Sequence, residues 1–136
     1  TPDSRFGIPA AKLGLGYEYE GLAKLARLVG PSRARDIMFS ARFMPASEAL
    51  DMGLINFIEE RDDIEGACVS YAKTIAENAP LTVEAAKAAI NAWERGSRTE
   101  EVNAVRAMVD ACFDSEDYRE GRKAFAAKRK PEFKNR

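Results

Sequence analysis

The stretch Phe6-Gly7-Ile8-Pro9-Ala10-Ala11-Lys12-Leu13-Gly14-Leu15-Gly16-Tyr17 decides how the chain is read. Pro9 has no N–H to donate, and Gly7, Gly14 and Gly16 flank it, so a long helix is excluded here. Leu13 and Leu15 alternate, and the spacing predicts an extended segment over residues 5–15. The chain opens on Thr1 rather than Met, inside this strand-forming motif, and is expected to be a fragment whose N-terminal partner half is absent.

Outward from that stretch the periodicity turns helical. Over residues 18–29, Leu22, Leu25, Ala26 and Val29 fall on one face. Gly30-Pro31 stops that helix and opens the next, because proline suits a first turn. Residues 32–41 repeat the spacing with Ala34, Ile37, Met38 and Ala41. A short helix covers residues 46–52, with Gly53 at its C-terminus, and Leu54-Ile55-Asn56-Phe57-Ile58 reads as a strand. Asp62 or Asp63 caps a helix whose face is Ile64, Cys68, Tyr71, Ala72 and Ile75. Asn78-Ala79-Pro80 breaks it, and the next face is Val83, Ala86, Ile90 and Trp93, ended by Gly96. Ser97-Arg98-Thr99-Glu100 has the form of a capping box ahead of Val102, Val105, Val109 and Cys112. A last helix starts near Ser115, carries Tyr118, Gly121 and Phe125, and ends at Pro131. The fold class is therefore mainly α with a few short strands. So many one-sided helices with so little sheet are expected to bury their stripes as core or against another chain.

At 136 residues the chain fits one domain or part of a larger one. Hydrophobic content of 46% against 32% charged places it among globular rather than disordered chains. No apolar run approaches the roughly 20 residues of a membrane-spanning helix, and no signal-peptide core stands at the start. A cytoplasmic location and no membrane partner are expected. There is no histidine, which removes Ser-His-Asp and Cys-His catalysis by these residues alone, and most zinc sites. No metal site is expected. Cys68 and Cys112 fit no short metal or redox spacing and are expected as half-buried reduced thiols. Residues 119–136 hold eight basic side chains against Glu120 and Glu132, which points to phosphate recognition or an acidic neighbour. The overall net charge of −1 argues against nucleic-acid binding through that tail.

Several segments, in order and spacing, resemble the crotonase superfamily, the family of enoyl-CoA hydratases and isomerases. Phe6-Gly7-Ile8-Pro9-Ala10 resembles its Phe-Gly-x-Pro-Glu motif. Ser40-Ala41-Arg42 through Ala46-Ser47-Glu48-Ala49 to Gly53-Leu54-Ile55-Asn56 resembles its Thr-Gly-Arg…Ala-x-Glu-Ala…Gly-Leu-Val-Asn block, and Ala79-Pro80-Leu81 its Ala-Pro-Leu helix start. Asp114-Ser115-Glu116-Asp117-Tyr118-Arg119-Glu120-Gly121, then Phe125, Lys128-Arg129-Lys130-Pro131-Glu132-Phe133, resemble its C-terminal signature. The resemblance covers nearly the whole chain and implies the C-terminal half of a crotonase fold. Residues 1–60 would be the end of the ββα-superhelix α/β core, and residues 61–136 a helical trimerisation domain.

The resemblance implies substrates that are coenzyme A thioesters, with coenzyme A part of the substrate rather than a prosthetic group. Two backbone N–H groups stabilise the enolate oxygen in such sites, and in the family both come from the half expected to be absent. Ala10 stands where the family places its second catalytic glutamate. Lys12 would share its face in a strand but reach further, and Glu18 and Glu20 read as surface. The family pattern also implies that Phe125 and Lys128 touch the adenine and phosphate end of CoA, often on a neighbouring subunit. The run from Ala11 to Tyr17, with Gly21-Leu22, resembles the matching stretch of methylmalonyl-CoA decarboxylases, where a tyrosine stands in the acyl pocket. Tyr17 is thus the catalytic candidate, set against a role as loop filler. Tyr17-Glu18-Tyr19-Glu20-Gly21 replaces the Pro-Gly-Ala-Gly-Gly loop of ordinary hydratases, which implies a reshaped acyl pocket.

Three functions stay open on these grounds: hydratase/isomerase-like lyase chemistry, a decarboxylase of malonyl or methylmalonyl thioesters, and a non-catalytic CoA-binding or oligomerisation module. A homo-oligomer, trimer or hexamer, is the expected assembly.

Overall fold

A computed structural model describes residues 1–136. They form two compact units, Thr1–Ala67 and Cys68–Arg136.

In the first unit, strand β1 (Arg5–Phe6) pairs antiparallel with β2 (Met44–Pro45), placing Arg5 opposite Pro45 and Phe6 opposite Met44. The extended segment predicted over residues 5–15 stops early. Helix α1 (Ala10–Leu13) follows Pro9, whose fixed φ suits a helix start and whose carbonyl accepts from the Lys12 N–H at 3.0 Å. Gly14, left-handed at φ 66°, ends that single turn. Helices α2 (Tyr19–Val29) and α3 (Pro31–Ser40) meet at Gly30, whose φ of 81° and ψ of 154° are open only to a residue without Cβ. Pro31 opens α3 as the sequence predicts. Helix α4 (Ala46–Asp51) ends at Met52 and left-handed Gly53.

The core of this unit is Val29, Ala34, Ile37, Met44, Ala49 and Met52, closed over by Phe6, Ile8, Leu25, Ala26, Leu54 and Ile55. The faces predicted for α2 and α3 are the ones that pack. Residues 54–58, predicted as a strand, are irregular. A strand needs a partner ladder. Here the Leu54 N–H instead donates to the Ala49 carbonyl at 2.9 Å, and Leu54 and Ile55 pack on the core as a continuation of the α4 turn.

Helix α5 (Ile64–Ala76) buries none of its residues. Its predicted face is open, with Ile64, Tyr71 and Ile75 exposed, and Cys68 is exposed rather than half-buried. In the second unit, α6 (Pro80–Glu94) packs on α7 (Thr99–Asp114), and α8 (Glu116–Ala126) follows at Ser115. The packed face of α6 is not the predicted one. Ala85 and Ala92 are buried, while Ile90 and Trp93 are 60% and 64% exposed. Small side chains let two helix backbones approach closely, so the alanine face wins within this unit and the bulky face is left outside. The predicted capping box at Ser97–Glu100 does not form. Ser97 is left-handed at φ 56°, and α7 has no side-chain cap. The Ser97 N–H instead donates to the Ala92 carbonyl at 2.8 Å, so Gly96 and Ser97 finish α6 rather than start α7.

Ser115 caps α8, its Oγ accepting from the Tyr118 N–H at 3.0 Å. The helix ends before Pro131: Ala127 closes it, and Lys128 takes the left-handed position at φ 51°. No helix is long and apolar enough to cross a membrane.

Candidate functional site

The residues singled out for chemistry fall into two groups, one in each unit. In the first unit, Ala10 begins α1 and is 3% exposed. A buried methyl stands there, and it can neither give nor take a proton. Lys12 does not share its face. Two residues apart on a helix point roughly 200° apart, and Lys12 is exposed. Tyr17 lies in the loop between α1 and α2. Its ring faces the first turn of α2, where a Cβ added at Gly21 would sit 3.6 Å from Tyr17 Cδ1. The ring is 49% exposed and stands in a run of exposed apolar groups with Leu13, Leu15 and Tyr19. Glu18 and Glu20 are exposed beside it, in keeping with the surface reading.

The same unit holds a clamp that sequence reading did not find. Arg42 donates from Nη1 to Glu48 Oε2 at 2.8 Å, and from Nη2 to Asp36 Oδ2 at 2.5 Å. One guanidinium thus joins α3 to α4, and its fork geometry suits two carboxylates at once. The Arg42 hydrogen bonds hold both carboxyls below their usual range and raise the guanidinium's own pKa. Arg42 and Glu48 both stand in the segment that carries the family resemblance. Their spacing alone, six residues apart across a helix start, gives no signal of contact.

In the second unit, Phe125 lies in the last turn of α8 and is 88% exposed. Lys128 follows at the left-handed position, with its backbone N–H donating to the Phe125 carbonyl at 3.1 Å. The next N–H, of Arg129, reaches back to the Ala124 carbonyl at 3.0 Å, which completes a Schellman end to the helix. Beyond it the chain returns along α8. Glu120 accepts from Arg129 Nη1 at 2.6 Å and Nη2 at 2.9 Å, and from the Glu132 backbone N–H at 3.0 Å. These hydrogen bonds, Arg129 first, hold the Glu120 carboxyl down at about 2 and raise the Arg129 guanidinium. Phe133 lies over Gly121, where an added Cβ would be 3.5 Å from its Cε1. A shallow groove of about 290 Å³ runs there, lined among others by Leu81, Tyr118, Arg122, Phe125 and Phe133.

Three of the tail's eight basic side chains are paired from within. Arg129 pairs with Glu120, Lys130 with Glu77 and Arg136 with Glu116. For these three the acidic neighbour lies within the same chain. Arg122 lies over the Tyr118 ring at 5.8 Å. Lys128 makes no ion pair and remains available to an anion.

Comparison with known proteins gives a single direction. The family model described as enoyl-CoA hydratase/isomerase matches residues 1–136. The chain is 37% identical to a short-chain-enoyl-CoA hydratase of Clostridium acetobutylicum over 100% of its own length and 52% of the relative's. It is 32% identical to the methylmalonyl-CoA decarboxylase of Escherichia coli, over 96% of this chain and 51% of that one. Among solved structures, an enoyl-CoA hydratase from Bacillus anthracis superposes with a TM-score of 0.86 at 27% identity, over 99% of this chain and 52% of that chain. An enoyl-CoA hydratase from Mycobacterium tuberculosis gives 0.83 at 30% identity, covering 99% and 54%. The chain spans about half the length of the curated relatives it matches.

Proposed function

The chain belongs to the enoyl-CoA hydratase/isomerase family, and from that membership we propose that the complete protein processes an acyl-CoA thioester. The observation that carries this reading is the end of α8, where a fully presented aromatic and an unpaired lysine stand three residues apart. An aromatic face suits a purine ring, and a lysine is a compact point charge for phosphate. Phe125 and Lys128 are therefore the residues assigned to the CoA end of the substrate. The thioester end needs two N–H donors aimed at the carbonyl oxygen, to stabilise the enolate that forms there. Those donors are assigned to residues beyond these 136. The exposed faces of α5 and α6 are read as surfaces that other parts of the protein or other copies cover, in a homo-oligomer.

The reaction class follows from what residues 10 and 17 can do. Hydration needs a base for water and an acid for carbon, each worth roughly 10²–10⁴-fold. Ala10 offers neither, so a hydratase here would work with one carboxylate fewer than the family's usual pair. A specific observation favours a second reading. Decarboxylation of a malonyl-type thioester needs no base. The bond between the α-carbon and the carboxylate breaks, its electron pair moves into the thioester to give the enolate, CO₂ leaves, and a proton from water restores the α-carbon. Tyr17, partly open to solvent, has a hydroxyl that can orient the leaving carboxylate by a hydrogen bond.

The test is a pair of assays on the full-length protein. Crotonyl-CoA consumption supports the hydratase/isomerase reading, and CO₂ release from methylmalonyl-CoA supports the decarboxylase reading. CoA binding with turnover of neither would leave a binding module in place of both.

A further inference from the structure

Lys128 occupies a backbone position that its residue type does not favour. Its φ of 51° is left-handed, where a Cβ crowds the following carbonyl and glycine is the usual occupant. Two features hold it there. The first is the helix end itself, through the Lys128 and Arg129 N–H bonds to Phe125 and Ala124. The second lies one residue on, where Arg129 is gripped by both oxygens of Glu120, a full helical stretch back along α8. Glu120 also accepts from the Glu132 N–H, so a single carboxylate fastens both ends of residues 129–132. Lys128 is the residue from which this strap departs. The Arg129–Glu120 pair thus adds a side-chain hold to the backbone bonds of that turn.

We propose that Glu120 is a positioning residue for CoA binding: by gripping Arg129 it locks the left-handed turn that presents Lys128, with Phe125, to the phosphates of the CoA end. This inference rests on the assignment of Phe125 and Lys128 to CoA made above. It adds a role for a residue that touches no substrate. It also explains why a basic residue inside a basic tail is paired off: Arg129 is used to aim Lys128 rather than to bind the anion itself.

The experiment is calorimetric binding of CoA to the full-length protein in a double-mutant cycle of Glu120→Gln and Lys128→Ala. Lys128→Ala should weaken binding. Glu120→Gln should weaken it by roughly threefold or more in the native background, and have no further effect once Lys128 is gone. Arg129→Gln opens the same strap from the other side and should match Glu120→Gln. Lys128→Gly should raise thermal stability while weakening CoA, since it relieves the turn and removes the charge. If Lys128→Ala leaves CoA affinity unchanged, the assignment of the CoA site fails and this inference with it. If Lys128→Ala weakens binding but Glu120→Gln does not, or if the two losses simply add, the site stands and the positioning role is overturned. Tighter binding in Glu120→Gln, from a freed Arg129, would overturn it as well.

Discussion

The backbone N–H of Lys134 donates to the buried carboxylate of Asp117 at 2.6 Å, across 17 residues of chain. The other Asp117 oxygen accepts from the Asn135 N–H at 2.8 Å, and the Asp117 N–H donates to the Arg136 carbonyl at 3.0 Å. Asp117 is 3% exposed and stands in the first turn of α8, where the helix dipole favours a negative charge. It ties the last residues of the chain to the start of the helix, while Glu120 ties the segment before them one turn further on.

Replacing Asp117 by alanine should release that end. Two backbone donors lose their acceptor, a loss worth about 1–3 kcal/mol when the groups stay buried. The expected outcome is a lower urea midpoint and faster tryptic cleavage at Lys134. Digestion at the native rate would count against the pinned tail.

Glu120 gives a pH dependence of known sign. Its carboxyl is held at about 2 in the folded protein, below its ordinary 4.5. A group lowered on folding contributes stability that is fully present above its unfolded value and is lost as pH falls through the folded one. The difference in thermal midpoint between the native protein and Glu120→Gln should be largest above about pH 4.5 and fade toward pH 2. The side chain of its partner Arg129 is 46% exposed, so the effect should also shrink in high salt.

Among the glycines of the first unit, Gly7 has the least room for a Cβ. A Cβ there would lie 2.7 Å from the Arg42 carbonyl oxygen and 3.0 Å from Phe43 Cδ1. The carbonyl is backbone and cannot swing aside, so Gly7→Ala must push β1 away from the segment that leads into β2. A cost of about 1–3 kcal/mol is expected, as for overpacking of a close-packed site. Chemical denaturation measures it, and an unchanged midpoint would show that β1 has room to move away from Arg42.

Tyr17→Phe separates chemistry from fold. The ring is half exposed and packs by its edge near Gly21, so losing the hydroxyl should leave the unfolding free energy within about 0.5 kcal/mol of native. CO₂ release from methylmalonyl-CoA by the full-length protein should fall at least about tenfold if the hydroxyl orients the leaving carboxylate. Equal rates would assign Tyr17 to loop filling.

Much of the fold was readable because it follows from local rules. Leu25, Ala26 and Val29 on α2, and Ala34 and Ile37 on α3, pack as their spacing predicts, since each helix carries one clear apolar face. Gly30-Pro31 and Gly53 punctuate the helices where their backbone preferences place them. The readings that failed share a different cause. Residues 54–58 have strand composition, but a strand exists only when another strand is beside it, and the one sheet here is β1 with β2. Helix α6 has apolar residues on two faces. Periodicity cannot choose between Ala85 with Ala92 and Ile90 with Trp93, because the choice depends on how near α7 comes.

The candidate site divides in the same way. Residue types alone determined that these residues hold no histidine, that an alanine stands where the family resemblance calls for a glutamate, and that the tail is basic. Those are properties of identity and order, and folding does not alter them. Only the tertiary structure decided which charges are spent and which are free. Glu120 meets Arg129 nine residues away, and Asp117 meets Lys134 and Asn135, because the chain reverses at Lys128 and runs back along α8. Electrostatic attraction falls with distance through space, not along the sequence, and that reversal is what leaves Lys128 unpaired at the end of the helix.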